Sequence, residues 1–360
     1  MLESRHVLVT GGAGYIGSTI CSALEKHGYV PIILDSLVSG SREFTQKRAF
    51  FKGDFADEAV LERILASYPL TACIHCAART VVPESVRHPD LYYEENVAKP
   101  LKLFTALAKH GCRRIILSSS AAVYGDSGGE SVSETASLDP KSPFARSKLM
   151  VEQILSDFAA AGILSAITLR YFNPIGADPE MRSGPYHPDP SNILGRLVMV
   201  AKGHGGDRFQ IAGNDWPTRD GTSIRDYVHV WDLALAHCLA LERFDEAMAA
   251  TDGRCLVLNL GSGQGVTVQE FVGAFEHVIH RKIAAQVGAR RPGDISGAYA
   301  NSDFARKTLG WIPTLTIETA ISDALRWHEY SFRMADAATL PAPAPSSTLL
   351  RTGRGVNLGG

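Results

Sequence analysis

The stretch Val9-Thr10-Gly11-Gly12-Ala13-Gly14-Tyr15-Ile16-Gly17 decides the fold. It leaves an apolar run, His6 to Thr10, and enters an amphipathic one that opens near Tyr15. Glycine has no Cβ, so a backbone of this kind turns tightly and approaches a pyrophosphate, which then rests on the free N–H groups at the positive end of a helix. Gly11, Gly14 and Gly17 are the candidate glycines of such a cradle, with Tyr15 and Ile16 between them and the helix. A glycine triplet by itself also fits a plain turn. The context adds Asp35, which ends the next apolar run, PIILD, 18 residues beyond Gly17. A carboxylate at that distance accepts hydrogen bonds from an adenosine ribose and repels a 2′-phosphate, which favours NAD over NADP. Capping of the following turn is the other reading of Asp35. Gly53-Asp54-Phe55, after a third apolar run, fits a loop that holds adenine.

Outward from this loop the chain keeps one rhythm to about residue 170. Short apolar runs (HVLVT, PIILD, AFF, ACIHCA, RIILSSS, SAITLRY) alternate with helical stretches over Asp57–Tyr68, Tyr92–His110 and Phe144–Ala161. Strands that are continuously apolar, and not alternating with period 2, belong to a parallel sheet covered on both faces. The expected fold class is therefore α/β, a doubly wound parallel sheet of Rossmann type. Beyond Tyr171 the rhythm breaks into Pro-, Gly- and Asn-rich stretches such as NPIGADPEMRSGPYHPDPSN. The expected division is a dinucleotide-binding domain over 1–170, a smaller mixed α/β substrate-binding lobe over 171–333 with some segments returning to the sheet, and a flexible tail over 334–360. That tail, ATLPAPAPSSTLLRTGRGVNLGG at its end, lacks periodicity.

Composition narrows the function classes. The 360 residues are 45% hydrophobic and 21% charged, ordinary globular usage, with a formal net charge of -2. No basic excess is present to meet a phosphate backbone or an anionic membrane, so neither nucleic acid nor membrane is an expected partner. No run of about 18 apolar residues appears, and the His6–Thr10 run is too short for a signal peptide, so a cytoplasmic location is expected. The six cysteines are scattered without a disulfide framework. Cys73 and Cys76 have a tempting spacing but no second pair to complete a metal site, and no metal is expected.

Several long strings, spread from about residue 5 to 330, resemble the UDP-glucose 4-epimerases of the extended short-chain dehydrogenase/reductase family. They are VTGGAGYIG, GDF, PESV, SSSAAVYG, SKLMVEQIL, LRYFNPIGA, GNDWPTRDGTSIRDYVHVWDLA, NLGSG and RRPGD. The resemblance implies tightly bound NAD, held by the glycine loop, Asp35, Asp54, Phe55, Ala77, Asn96, Lys148, Tyr171 and Phe172. It also implies a reaction in which Ser120 hydrogen-bonds the sugar 4-hydroxyl, a tyrosinate removes its proton, and a hydride passes from carbon 4 to the nicotinamide and returns on the other face. Lys148 then lowers the tyrosine pKa and holds the nicotinamide ribose. On the substrate side the resemblance assigns Arg225 and Arg291 to the diphosphate. Asn173, Asn192 and Asp294 match contacts to sugar, phosphate or ribose. Ala298 aligns with the position that limits room beside the sugar's 2-substituent, so an N-acetyl group is expected to fit. A homodimer is the family expectation, through apolar stripes on 92–110 and 146–161 that also suit an internal core.

Two departures matter. Phe144 stands four residues before Lys148 where the pattern has the tyrosine base, and Thr80 stands where the family carries a lysine near the cofactor, with Arg79 beside it. No other tyrosine lies between Tyr124 and Tyr171. A phenylalanine there fits an engineered knock-out, a natural variant with altered chemistry, or a nucleotide-sugar-binding protein that has abandoned catalysis. A dehydratase or decarboxylase is the enzymatic rival. Sugar-nucleotide dehydratases carry an acid and a base after the serine run, however, and this chain has Ala121-Ala122.

Overall fold

The computed structural model describes residues 5–187, 190–203, 208–251, 254–290 and 294–339, with side chains of the last helix described to Ser331. The first half contributes strands β1 (His6–Thr10), β2 (Val30–Asp35), β3 (Ala49–Lys52), β4 (Leu70–His75), β5 (Arg114–Ser120), β6 (Glu130–Val132) and β7 (Ser165–Tyr171). The second contributes β8 (Asn173–Ile175), β9 (Phe209–Ala212), β10 (Ile224–Arg225), β11 (Tyr227–His229), β12 (Cys255–Leu260), β13 (Val266–Thr267), β14 (Ala285–Gly288) and β15 (Gly297–Ala300). The main sheet has the order β12-β7-β5-β4-β1-β2-β3, parallel throughout.

Its strands alternate between two cores because successive side chains point to opposite faces. Val7 and Val9 join Ile20, Leu24 and Leu233 on one side, while Leu8 joins Val60, Ile64, Leu103, Phe104, Val151 and Leu155 on the other. Both faces are thus covered by helices, as the unbroken apolar runs require. The chain leaves β1 for β2 on one side and reaches β4 on the other. That reversal of direction opens a crevice at the carboxyl ends of the strands, near Thr10, His75, Ser120 and Tyr171.

The second half does not stand apart from this sheet. β12 returns to its edge in register with β7, and the Val230–Glu242 helix packs on the same face as the Tyr15–Lys26 helix. Conversely, β6 from the first half enters a small sheet ordered β13-β10-β15-β6. Two further strand pairs, β8 with β11 and β9 with β14, sit over a separate core built on Leu197, Phe271, Phe275 and Ile321. The last helix, Ile317–Thr339, carries on past Met334, so the stretch expected to be tail begins as helix. Residues 340–360, and with them the rest of that expectation, lie outside the described residues, as does Arg291.

One helix sets the geometry of the site. Ser142 caps it by accepting the Ala145 N–H at 3.2 Å, Pro143 occupies its first turn where no N–H is needed, and it runs Pro143–Ala160. Phe144, Lys148, Val151, Glu152, Leu155 and Ala159 form its buried stripe. Spacing of three and four residues stacks these side chains on one face. Phe144 and Lys148 consequently reach the strand ends from consecutive turns.

Candidate active site

The glycine loop is a cradle in which added side chains do not fit. Gly11 has φ +72°, and a Cβ there would stand 2.7 Å from Ala77 N; a Cβ on Gly17 would stand 2.2 Å from Gly11 O. Gly14 caps the Tyr15–Lys26 helix without offering its N–H groups a side-chain acceptor. Free donors at a helix N-terminus suit an anion. A cavity of about 230 Å³ continues from the loop, lined by Gly11, Asp35, Asp54, Phe55, Ala77 and Arg79 among others.

Asp35 serves the loop and the cavity together. Its Oδ2 accepts the Ala13 N–H at 3.0 Å and its Oδ1 the Leu37 N–H at 2.8 Å, so it does cap the following turn while it lines the cavity. Burial raises its pKa, and the two backbone donors oppose that. Asp54 accepts the Ala56 N–H at 2.8 Å and pairs with Lys99 at 2.5 Å, and Phe55 packs edge-on to His75. Asn96 has another task. Its Oδ1 accepts the Arg79 N–H and its Nδ2 donates to Arg79 O and Ser147 Oγ, so it braces the backbone of the cavity wall from behind. The Nε of Arg79 is buried and has no hydrogen-bond partner. Tight backbone, free helix donors, a carboxylate at the end of β2 and an unpartnered guanidinium nitrogen together fit a dinucleotide.

A second cavity, about 530 Å³, lies at the carboxyl ends of β5 and β7. Ser120, Phe144, Lys148, Tyr171, Phe172, Tyr15 and Ile16 all line it, so the catalytic candidates and four cofactor candidates meet there. Ser120 Oγ accepts the Ala122 N–H at 3.2 Å, which turns its own proton elsewhere. Phe144 is buried, and its ring has no exchangeable proton. Lys148 is buried too. Its Nζ donates to Ser118 O at 2.9 Å, and burial pushes its pKa down to about 8, opposed by the charges Cys76 and Glu152 can carry. The Tyr15 hydroxyl donates to Gly176 O at 2.6 Å and ties the cofactor loop to the second half of the chain.

Beneath the cavity runs a buried polar chain. His237 Nδ1 is 2.7 Å from Leu233 O, an atom that only accepts, so that nitrogen carries the hydrogen and Nε2 accepts from Tyr171 Oη. Ser118 Oγ then shares its proton between Tyr171 Oη at 2.7 Å and Cys76 Sγ at 3.0 Å. The Tyr171 hydroxyl therefore faces the interior and not the cavity. Beside it, Arg170 grips Glu152 through Nε and Nη2, with Ser119 Oγ on the same carboxylate. Tyr124 donates to Asn259 Oδ1 at 2.7 Å while accepting from Arg170 at 2.8 Å.

The substrate-side candidates come from the second half. Asn173, Asn192, Arg225 and Asp294 line the 530 Å³ cavity, and an adjoining one of about 330 Å³ is walled by Ala298, Ala121, Ala122 and Tyr124. Ser120, Phe144, Arg225 and Asp294 border both. Arg225 Nη1 donates to Ile224 O at 2.7 Å, with a longer 3.4 Å contact to Ile295 O, which pins the guanidinium at the wall. Asn192 Oδ1 is occupied by the Gly195 N–H at 2.8 Å, as the cap of a helix. Arg291 falls outside the described residues.

Residues 7–258 match the model of the NAD dependent epimerase/dehydratase family. The chain belongs to that family. A UDP-glucose 4-epimerase of Rhizobium leguminosarum bv. trifolii is 40% identical over 330 residues, which cover 92% of this chain and 99% of the relative. Among solved structures, a UDP-glucose-4-epimerase from Stenotrophomonas maltophila with bound NAD and formylated UDP-arabinopyranose superposes with a TM-score of 0.86 at 36% identity, covering 92% of this chain and 99% of that one. The UDP-glucose 4-epimerase from Bifidobacterium longum in complex with NAD+ and UDP gives 0.81 at 35%, covering 90% and 98%.

Sequence reading of this epimerase/dehydratase family member missed several of the residues just described. Cys76 follows β4, Ser118 lies on β5 and His237 on the Val230–Glu242 helix, and no spacing links them. Arg196, Gln210 and Tyr227 line the cavity from the half where periodicity failed. The Glu152–Arg170 pair did leave a signal. Each is a charged residue set in an apolar stripe, and such a residue needs a partner once buried.

Proposed function

We propose that this protein inverts carbon 4 of a UDP-hexose with bound NAD, acting on UDP-glucose and UDP-galactose and also on UDP-GlcNAc and UDP-GalNAc. The observation that carries the reading is that Ser120 and Lys148 line one wall of a cavity beside a glycine cradle, in a chain 40% identical to a UDP-glucose 4-epimerase. When bound, NAD supplies the reversible oxidation at carbon 4. The residues of the chain do the rest. The loop donors and Arg79 take the diphosphate of the cofactor, Asp35 its adenosine ribose, and Lys148 the nicotinamide ribose. Ser120 offers its hydroxyl proton to the sugar oxygen, while Arg225, Asn173, Asn192 and Asp294 hold the nucleotide handle so that the sugar alone turns over.

Elimination of water is disfavoured, because Ala121 and Ala122 present only methyl groups where an acid and a base would be needed. The Phe144 ring restricts the proton step. Phe144→Tyr is expected to raise epimerisation of UDP-glucose, by no more than the about 10²–10⁴ that a general base is usually worth, with product mass unchanged by chromatography and mass spectrometry. No gain, or a product lighter by water, would count against the reading.

The working form proposed is a homodimer. Most of the apolar stripe on the Lys99–Lys109 and Pro143–Ala160 helices is spent on the internal core, yet Val86 (63% exposed), Leu101 (42%) and Met150 (39%) remain on the surface of neighbouring helices. Light scattering should give twice the 38.8 kDa chain mass, and a particle of single-chain mass refutes the dimer.

A further inference from the structure

We propose that Lys148 takes the proton of the sugar 4-hydroxyl in this chain, replacing the tyrosine that Phe144 displaces. The inference rests on the epimerase reading above and assigns its missing acid–base group.

The case begins with elimination among the described residues around the cavity. Tyr15, Tyr124 and Tyr171 each commit the hydroxyl elsewhere, to Gly176 O, to Asn259 and Arg170, and to His237 and Ser118. The Tyr227 phenol is fully enclosed, and burial pushes its pKa up. Cys76 is held near 11 by burial. Glu152 is occupied by Arg170 and Ser119. Asp294 stands beside Ile295, whose carbonyl faces Arg225, on the side that receives the nucleotide.

Lys148 differs from all of these. It projects one helical turn after Phe144 and lines the same cavity. Its one hydrogen bond runs to a backbone carbonyl, a partner that a neutral amine still has the N–H to satisfy, more weakly than an ammonium does. Nothing nearby locks the charge in place: the closest carboxylate, Glu152, is spent on Arg170. Of the groups packed around it, Cys76 and Glu152 favour the ammonium. His75 is pushed down to about 3 and His237 to about 4, so both are neutral. The Ser118, Ser119, Ser120 and Tyr171 hydroxyls carry no charge. Burial is the largest influence and brings Lys148 to about 8, where amine and ammonium coexist. An acid–base group is most effective when its pKa lies near the working pH.

The step is a plain proton exchange. The O4–H bond breaks, its proton goes to the Nζ lone pair, and the O4 electron pair forms the carbonyl as carbon 4 gives up its hydrogen with two electrons to the oxidant that NAD supplies. On return of that hydrogen and its electrons to the other face, the ammonium gives the proton back to O4 and the amine is regenerated.

The test has two arms. The first is competitive acylation of the Lys148 amine over a pH series, read by mass spectrometry of the labelled peptide without substrate. A midpoint near 8 is expected. The ordinary lysine value, about 10.4, overturns the proposal. The second compares Lys148→Arg in two backgrounds, with NAD retention measured after denaturation as the control for cofactor binding. Arginine keeps the cation but does not release its proton. In the parent chain Lys148→Arg should lower epimerisation by about 10²-fold or more, and in the Phe144→Tyr background by much less. Equal losses in both backgrounds, an inactive parent beside an active Phe144→Tyr, or a larger loss on Asp294→Asn with UDP still bound each overturn it. If Phe144→Tyr fails to epimerise as well, the epimerase reading itself has failed, whatever the labelling midpoint.

Discussion

Ala298 pairs in register with Arg225, so the residue proposed to set room beside the sugar stands next to the cation proposed for its diphosphate. A methyl side chain at this wall leaves the 330 Å³ cavity open toward Ala121 and Ala122. Ala298→Tyr, made in the Phe144→Tyr background, should abolish turnover of UDP-GlcNAc while UDP-glucose is still epimerised; parallel progress curves for the two substrates decide it. Retained UDP-GlcNAc turnover means that another residue sets the limit. Phe144 and Lys148 were legible as a pair because they lie one helical turn apart, and the structure places both beside Ser120 at one cavity. What Lys148 touches was not legible, since Ser118 lies 30 residues away on a strand whose approach only packing determines.

Among elements, the tie between the Pro143–Ala160 helix and β7 is a buried ion pair. Arg170 and Glu152 are 4% and 6% exposed, so removing one leaves the other charged and desolvated. Arg170→Leu should therefore cost about 3–5 kcal/mol in urea denaturation. Arg170→Leu combined with Glu152→Leu should cost less than the single change, because no orphan charge remains. A double variant worse than the single one would make the pair a direct source of stability. The helix expected over 92–110 is also more segmented than its apolar pattern shows. Helical turns over Pro89–Tyr93 lead into a π-helical turn at Glu94–Ala98 and then the Lys99–Lys109 helix. Pro100 has no N–H to donate to the carbonyl four residues back, so the wider turn comes where that bond is missing. It carries Asn96, whose brace on Arg79 no periodicity predicts.

For the whole molecule, the enclosed histidines contribute to behaviour in acid. His237 is held neutral, with its pKa lowered to about 4 by burial, while the unfolded chain titrates near the ordinary 6.5. Below 6.5 the unfolded state takes up a proton that the native state refuses, so stability from this group falls as pH drops and the loss is complete near 4. Asp35 and Asp226, pushed up by burial, act in the opposite direction. His237→Gln cancels those terms in comparison with the parent. Its unfolding free energy should vary less with pH over that window by roughly 1.4 kcal/mol per pH unit at most, followed by denaturant midpoints. Parallel curves would mean that His237 titrates alike in both states.

The sequence by itself determined the sheet and the glycine turn, because apolar periodicity and glycine spacing express backbone constraints that act over a few residues, and the family was legible through the resemblance of its long motif strings. Only the tertiary structure decided how the halves interleave, with β12 returning to the main sheet and β6 leaving for the small one. It alone brought Cys76, Ser118, Tyr171 and His237 into one buried chain and gave Lys148 a backbone carbonyl as its hydrogen-bond partner. Desolvation and long-range pairing depend on what the rest of the chain places around a residue, and that is a property of the fold and not of any segment.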